Sequence, residues 1–361
     1  MVPTKAIAVT PGVAGSAALK DVPEPTPKRG ELLLRVQRVG VCGTDMDIVN
    51  GFYGEAPIGS PYLILGHESL SRVESLGLGV SGFKKGDLVV PTVRRNCPEN
   101  CLNCRSGESD MCLTGHYKEH GIKGLHGFAS ELAVSDSRFV VKLPDALSEV
   151  GVLLEPLTIV EKGIGQSFLI QNTRMKWKPR NALVLGSGPV GLLATALLEM
   201  MGMEVTTVAR KPSDSSKARL ASSLGANYVN VVDTPLSSME DKFDLVFEAT
   251  GSTSVALEAQ SLCSTNGVVS FVGIYRSQVG TEDAGKVFTN LVLGNRVFFG
   301  SVNANISYFR RGAEDLVRIR RKWKGFLEGI MTDRIPLEKA ESAYGPKGEE
   351  SVKTILQITS S

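Results

Sequence analysis

The chain has 361 residues, more than one simple core accommodates, so two domains of ordinary size are expected. Its 40 Lys and Arg stand against 38 Asp and Glu, a net charge of +2 that offers no global field to nucleic acid or an anionic membrane. No stretch approaches the roughly 18 apolar residues of a membrane span. Residues Met1–Val9 lack a charged leader followed by a long apolar run, so the expectation is a cytoplasmic protein that engages neither nucleic acid nor a membrane.

In chain order, residues 5–9 and 31–39 alternate apolar and β-branched side chains between turn formers and read as strands. Val39-Gly-Val-Cys42-Gly-Thr44 then runs from a strand into a tight turn, with Cys42 at the corner. The short apolar run Tyr62–Leu65 ends in Gly66-His67-Glu68, and further strands are expected over 70–76 and 85–91, punctuated by glycines. Many short strands with Gly turns predict a compact, barrel-like β domain. Strands resume over 131–134 and 139–143, and a helical stretch from Ser148 to Leu154 leads to Glu155, directly before Pro156.

Cys42 and His67 are good zinc ligands, because zinc takes thiolate and neutral imidazole in a tetrahedral shell that leaves one position open when the site is catalytic. Glu68 can ligate or orient from behind, and Glu155 can supply a third protein ligand; the residues alone leave that choice open. Of the six cysteines, four follow one another as Cys97, Cys101, Cys104 and Cys112, spaced C-x3-C-x2-C-x7-C. Four thiolates in one loop complete a closed shell that suits structural zinc, whereas Cys pairs this close would make strained disulfides.

From Asn181 the pattern changes. The apolar strand 181–185 runs into Gly186-Ser187-Gly188-Pro189-Val190-Gly191 and then an apolar helix to Met201. This G-x-G-x-x-G, with the strand before it and the helix after it, predicts a pyrophosphate held on a helix N-terminus. Strands over 204–208, 228–231, 244–248, 267–272 and 296–300 alternate with helices over 215–224 and 255–262, the grammar of a doubly wound parallel sheet. Its ligand is expected at the carboxyl ends of the strands, where Thr250, Gly251, Val272, Gly273, Ser301, Val302 and Asn303 fall. The second strand ends in Ala209-Arg210-Lys211 instead of a carboxylate. A guanidinium and an ammonium there suit a 2′-phosphate, so NADP is preferred over NAD, with use of both left open.

Cys42-Gly-Thr-Asp45, Gly66-His-Glu68, the four-Cys lobe, Glu155-Pro156 and Gly186-Ser-Gly-Pro-Val-Gly191 together resemble the zinc-containing medium-chain alcohol dehydrogenase superfamily. Val93-Arg-Arg95, Lys118-Glu-His-Gly-Ile122, Gly124-Leu-His-Gly-Phe128 and Gly300-Ser-Val-Asn303 are most similar to its archaeal glucose (aldose) 1-dehydrogenases. The resemblance implies an α/β chain: a GroES-like, β-rich catalytic domain over 1–178 and 309–361, and a doubly wound, parallel-sheet Rossmann domain over 179–308. It implies two zinc ions per chain, a homotetramer or homodimer, and oxidation of the C1 hydroxyl of an aldose to the lactone with NADP or NAD. On this reading Thr44, Glu119, Glu155 and Asn303 contact sugar hydroxyls, Thr44 also relays the proton, and Arg210 and Lys211 hold the cofactor phosphate. Asp47 stands where the superfamily's alcohol dehydrogenases usually carry a relay histidine, so that relay does not carry over. The other readings are a secondary alcohol or polyol dehydrogenase on the same scaffold and a cofactor-binding relative without turnover.

Overall fold

The computed structural model describes residues 3–275 and 284–359. The chain forms two compact units, one of Met1–Glu155, Asn303–Val317 and Met331–Ser361, the other of Pro156–Val302 and Arg318–Ile330.

The first unit is the expected GroES-like β domain. Its largest sheet has the strand order Val140–Lys142, Leu88–Pro91, Glu68–Leu76, Glu31–Val41, Thr354–Gln357, Asp333–Pro336, with Leu132–Asp136 also paired to Glu31–Val41. Inward-facing Val36, Val39, Leu65, Phe128 and Leu356 belong to its apolar core. The register sets Gly40 opposite Glu68 and brings Thr354 opposite Val41, so the end of the chain returns to the strand that leads into Cys42. A Cβ on Gly40 would lie 2.0 Å from Glu68 Oε2, so only glycine at this position leaves the carboxylate room.

The second unit carries a six-stranded, wholly parallel sheet in the order Asn227–Asn230, Glu204–Ala209, Asn181–Leu185, Phe243–Glu248, Cys263–Phe271, Val297–Gly300. The chain order of these strands is 3-2-1-4-5-6, the doubly wound order that reverses between Asn181–Leu185 and Phe243–Glu248.

The helix expected to begin at Ser148 instead follows short 3-10 turns at Asp145–Leu147 and Gly151–Leu153, and runs from Leu154 to Arg174. Pro156 lies in its first turn, where a missing N–H has no intrahelical acceptor to lose. Gly163 of this helix faces Phe247, Ser270 and Val272 of the parallel sheet. Residues 156–178 therefore cluster with the second unit, as do 318–330, whereas 303–308 cluster with the first; the sequence expectation set the bounds at 178 and 309.

Candidate active site and metal centres

The strand Glu31–Val41 delivers Cys42 to the N-cap of a short helix, Gly43–Val49. The thiol accepts from Thr44 N, and Asp45 Oδ2 accepts from Cys42 N at 2.9 Å, a capping box in which Cys takes the place usually held by Ser or Thr. His67 and Glu68 enter from the start of the adjacent strand. Cys42 Sγ and His67 Nε2 are 3.2 Å apart, and ligand atoms of Cys42, His67 and Glu68 all lie within 4.8 Å of one another. That is the spacing of donors around a single ion about 2.0–2.3 Å from each.

The surroundings tune this cluster. Asp45 is fully buried, with Oδ1 3.6 Å from His67 Nδ1, and among the described residues neither atom has a hydrogen-bond partner. A proton on Nδ1 pointing at Asp45 leaves the Nε2 lone pair for a metal, the usual carboxylate-histidine arrangement behind zinc. Burial pushes the His67 pKa down, but the Cys42 thiolate and Asp45 carboxylate outweigh it and hold the pKa well above the ordinary imidazole value. An ion competes with that proton for Nε2, so the donor chemistry fits a divalent cation.

Glu68 makes a second, sequence-silent contact. The Lys353 ammonium lies 2.6 Å from both of its carboxylate oxygens, with each side chain 3% exposed. Burial pulls the Lys353 pKa down, yet Glu68 and Cys42 more than offset this and keep the lysine charged. Glu155 lies outside the three-residue cluster. Its carboxyl is pushed up to about 7, chiefly by burial; His67 opposes this and the Glu68 charge adds to it.

Cys97, Cys101, Cys104 and Cys112 converge as a second group. Cys101 Sγ and Cys112 Sγ are 4.0 Å apart, near the tetrahedral edge of about 3.8 Å for sulfurs about 2.3 Å from zinc. Backbone N–H groups point at the sulfurs: Cys101 N at Cys97 Sγ, Leu113 N at Cys101 Sγ and Cys97 N at Cys104 Sγ. All six cysteines are free thiols, so disulfides do not compete for this lobe.

Glu119 and Asn303, far apart in sequence, are joined: Asn303 Nδ2 donates to Glu119 Oε1 at 3.0 Å. Arg94 lies on the same oxygen, with Nε at 3.0 Å and NH2 at 2.9 Å. Asn303 therefore sits with Glu119 in the first unit, and the cofactor-side candidates Ser301 and Val302 belong to the second.

In the second unit Gly186 has φ +108, open to glycine alone without strain. A Cβ on Gly191 would lie 1.9 Å from Gly186 O, whereas one on Gly188 would meet nothing within 4 Å. Gly188 caps the helix Pro189–Met200 with no side-chain bond to its amides, so the first N–H groups and the space above Gly188 suit a pyrophosphate. Ser187 is buried beside them. Arg210 is exposed just beyond the strand Glu204–Ala209, and the Lys211 carbonyl accepts from the Tyr228 hydroxyl. At the neighbouring strand ends, Thr250 N donates to Glu248 Oε1 at 2.7 Å, Gly251 approaches Gly273 closely, and Val272 N donates to Glu248 O. Ser301 N donates to Phe271 O, and half-exposed Val302 lends its carbonyl to Lys162 Nζ.

Asp45, Lys353 and Arg94 carry this geometry; in the sequence Asp45 and Arg94 stand only as members of the motifs Cys42-Gly-Thr-Asp45 and Val93-Arg-Arg95, with no role of their own, and Lys353 in none. Only Asp45 left a local trace, the three-residue spacing of a capping box after Cys42.

Residues 28–145 match the alcohol dehydrogenase GroES-like domain family, and residues 148–358 match the family described as glucose dehydrogenase C-terminus. The chain is 46% identical over 354 residues to glucose 1-dehydrogenase 1 of Caldivirga maquilingensis, covering 98% of this chain and 99% of that protein. It is 45% identical to glucose 1-dehydrogenase of Methanocella arvoryzae, again covering 98% and 99%. The fold is similar to that of Haloferax mediterranei glucose dehydrogenase in complex with NADP, Zn and gluconolactone. The TM-score is 0.91 at 31% identity, with 99% of this chain and 100% of that one covered.

Proposed function

The chain belongs to the glucose dehydrogenase family, built on an alcohol dehydrogenase GroES-like domain, and from this premise we propose that it is a zinc-dependent, NADP-linked glucose (aldose) 1-dehydrogenase. The reaction converts an aldose and NADP to the lactone, NADPH and a proton. When bound, zinc supplies the Lewis acidity that makes the C1 hydroxyl acidic, and NADP supplies the acceptor for the hydride leaving C1.

The chain's own residues do the rest. Cys42 and His67 hold the metal, with Asp45 fixing the His67 tautomer through Nδ1. Glu68, ion-paired with Lys353, and Glu155, raised toward neutrality, are the two candidates for a further ligand, with Glu155 also a candidate sugar contact. Thr44, next but one to Cys42, carries the hydroxyl proton outward. Glu119 and Asn303 pair with sugar hydroxyls that an apolar wall would leave unsatisfied, which is how a polar site rejects simple alcohols. The Gly186–Gly191 turn holds the pyrophosphate, Thr250, Gly251, Val272, Gly273, Ser301 and Val302 border the nucleotide, and Arg210 and Lys211 clamp its 2′-phosphate.

The observation that carries this reading is the convergence of Cys42, His67 and Glu68 on one point. Free thiols throughout support a reducing, cytoplasmic setting. No described helix is long and apolar enough to cross a membrane. The strand Val297–Gly300 ends its sheet with one edge unpaired among the described residues, which supports a homodimer or homotetramer. Initial rates with glucose, galactose and xylose, each with NADP and NAD, test the assignment. Lactone formation from at least one aldose with NADP is expected. Oxidation of a secondary alcohol or polyol with no aldose consumed would replace it.

A further inference from the structure

Glu119 is 5% exposed, and its two carboxylate oxygens are treated unequally. Arg94 Nε and Asn303 Nδ2 both donate to Oε1 at 3.0 Å, and Arg94 NH2 lies 2.9 Å from the same oxygen in an ion pair. Among the described residues every recorded side-chain contact of this carboxylate falls on Oε1, which leaves Oε2 as the acceptor for a hydroxyl from outside. The donors on Oε1 set the direction in which Oε2 faces, and both donor groups trace back to the four-cysteine lobe. Arg94 NH1 donates to the carbonyl of Asp110 at 3.0 Å, and Asp110 lies between Cys104 and Cys112. The Asp110 carboxylate accepts from Asn305 Nδ2 at 3.0 Å, anchoring the segment that carries Asn303. Asn303 itself sits at φ +57, where asparagine is among the few side chains tolerated, and its Oδ1 accepts from Ala304 N. The Arg94 guanidinium also lies 3.6 Å from the centroid of Tyr117, whose ring meets Lys123 Nζ at 4.8 Å. The guanidinium thus has three constraints: the carboxylate, the lobe carbonyl and the ring.

We propose that Arg94 is a positioning residue for sugar recognition, and that through it and Asn305 the four-cysteine lobe sets the direction in which Glu119 Oε2 faces the substrate. The proposal rests on the reading of Glu119 as a sugar contact. It gives the lobe a part in substrate affinity, beyond holding the fold. A lysine at position 94 keeps the charge but loses the fork that engages Glu119 and Asp110 together, and it loses the planar stack on Tyr117.

The test compares Arg94→Lys, Glu119→Gln and the double variant as zinc-loaded full-length enzyme. The expected result for R94K is a KM for glucose raised on the order of tenfold, the loss of charge-assisted bonds, with kcat changed far less. The KM for NADP and a zinc content of two per chain are expected to match the parent. In the E119Q background R94K is expected to add nothing to the glucose KM, which a merely structural role for Arg94 would not reproduce. A parental glucose KM in R94K, while E119Q shifts it, overturns the positioning role and leaves the sugar reading of Glu119 intact. Parental values in both variants overturn the two together. Should R94K fail to fold, Asn305→Ala takes its place, with the same expected rise and the same refuting result.

Discussion

Removing the ammonium of Lys353 isolates one buried charge. Lys353 and Glu68 are each 3% exposed, the ammonium is 2.6 Å from both carboxylate oxygens, and Gly40 packs too closely for the carboxylate to swing away. In Lys353→Met the carboxylate stays behind, dry and unpaired, and breaking a buried pair in this way costs about 3–5 kcal/mol. In a unit of roughly 200 residues each kcal/mol lowers Tm by about 2–4 °C, so a fall of roughly 6–20 °C follows. Differential scanning calorimetry of the metal-free protein reads it without competition from an ion at Glu68. The double variant Lys353→Met with Glu68→Leu replaces both charges by apolar groups, and most of the lost stability should return. A loss below about 1 kcal/mol in the single variant, or a double variant no better than the single, would refute the picture of a desolvated, mutually dependent pair.

Replacing Arg210 and Lys211 together by Ala should raise the KM for NADP by about ten- to a hundredfold and leave the KM for NAD nearly unchanged, since only the 2′-phosphate loses its cations; steady-state kinetics with both nucleotides decides it. Gly191→Ala places a methyl 1.9 Å from Gly186 O, so fluorescence titration should show nucleotide binding lost while the melting of the β unit is retained. The pH dependence of the metal-free chain should carry the mark of Glu155, whose carboxyl is raised from 4.5 to about 7 by burial. A raised carboxyl pKa means the folded chain holds the proton more tightly, so its contribution is complete below the unfolded value of about 4.5 and disappears as pH rises through about 7. Melting temperatures measured from about pH 5 to 8 should therefore fall more steeply in the parent than in Glu155→Gln, and equal slopes would contradict the assignment.

Side chains whose chemistry is specific and whose partners lie nearby were legible in the sequence. The four cysteines fall within one loop, and the Gly186–Gly191 turn sits between its own strand and helix. Cys42 and His67 stand on adjacent strand ends and announce themselves as metal donors. Contacts closed by tertiary structure left no such mark. Lys353 reaches Glu68 across 285 residues only because the last strand pairs beside Glu31–Val41. Arg94 stands in the motif Val93-Arg-Arg95, but nothing in that motif tells its role until the fold sets it between Glu119 and the Asp110 carbonyl. The helix Leu154–Arg174 starts later than the expected Ser148, with Pro156 in its first turn, which accepts proline. Its Gly163 meets Phe247 and Ser270 of the parallel sheet, and residues 156–178 cluster with that unit instead of with the segment they follow in sequence.

In the proposed mechanism a metal on Cys42 and His67 activates the sugar. Counting zinc per chain and recording the initial rate of NADPH formation from glucose, in the parent and in Cys42→Ser, tests it most directly. Two zinc ions and turnover are expected in the parent, and in the variant a folded chain with one zinc and a rate lower by at least about a thousandfold. A variant holding one zinc and oxidising glucose at the parental rate would contradict it.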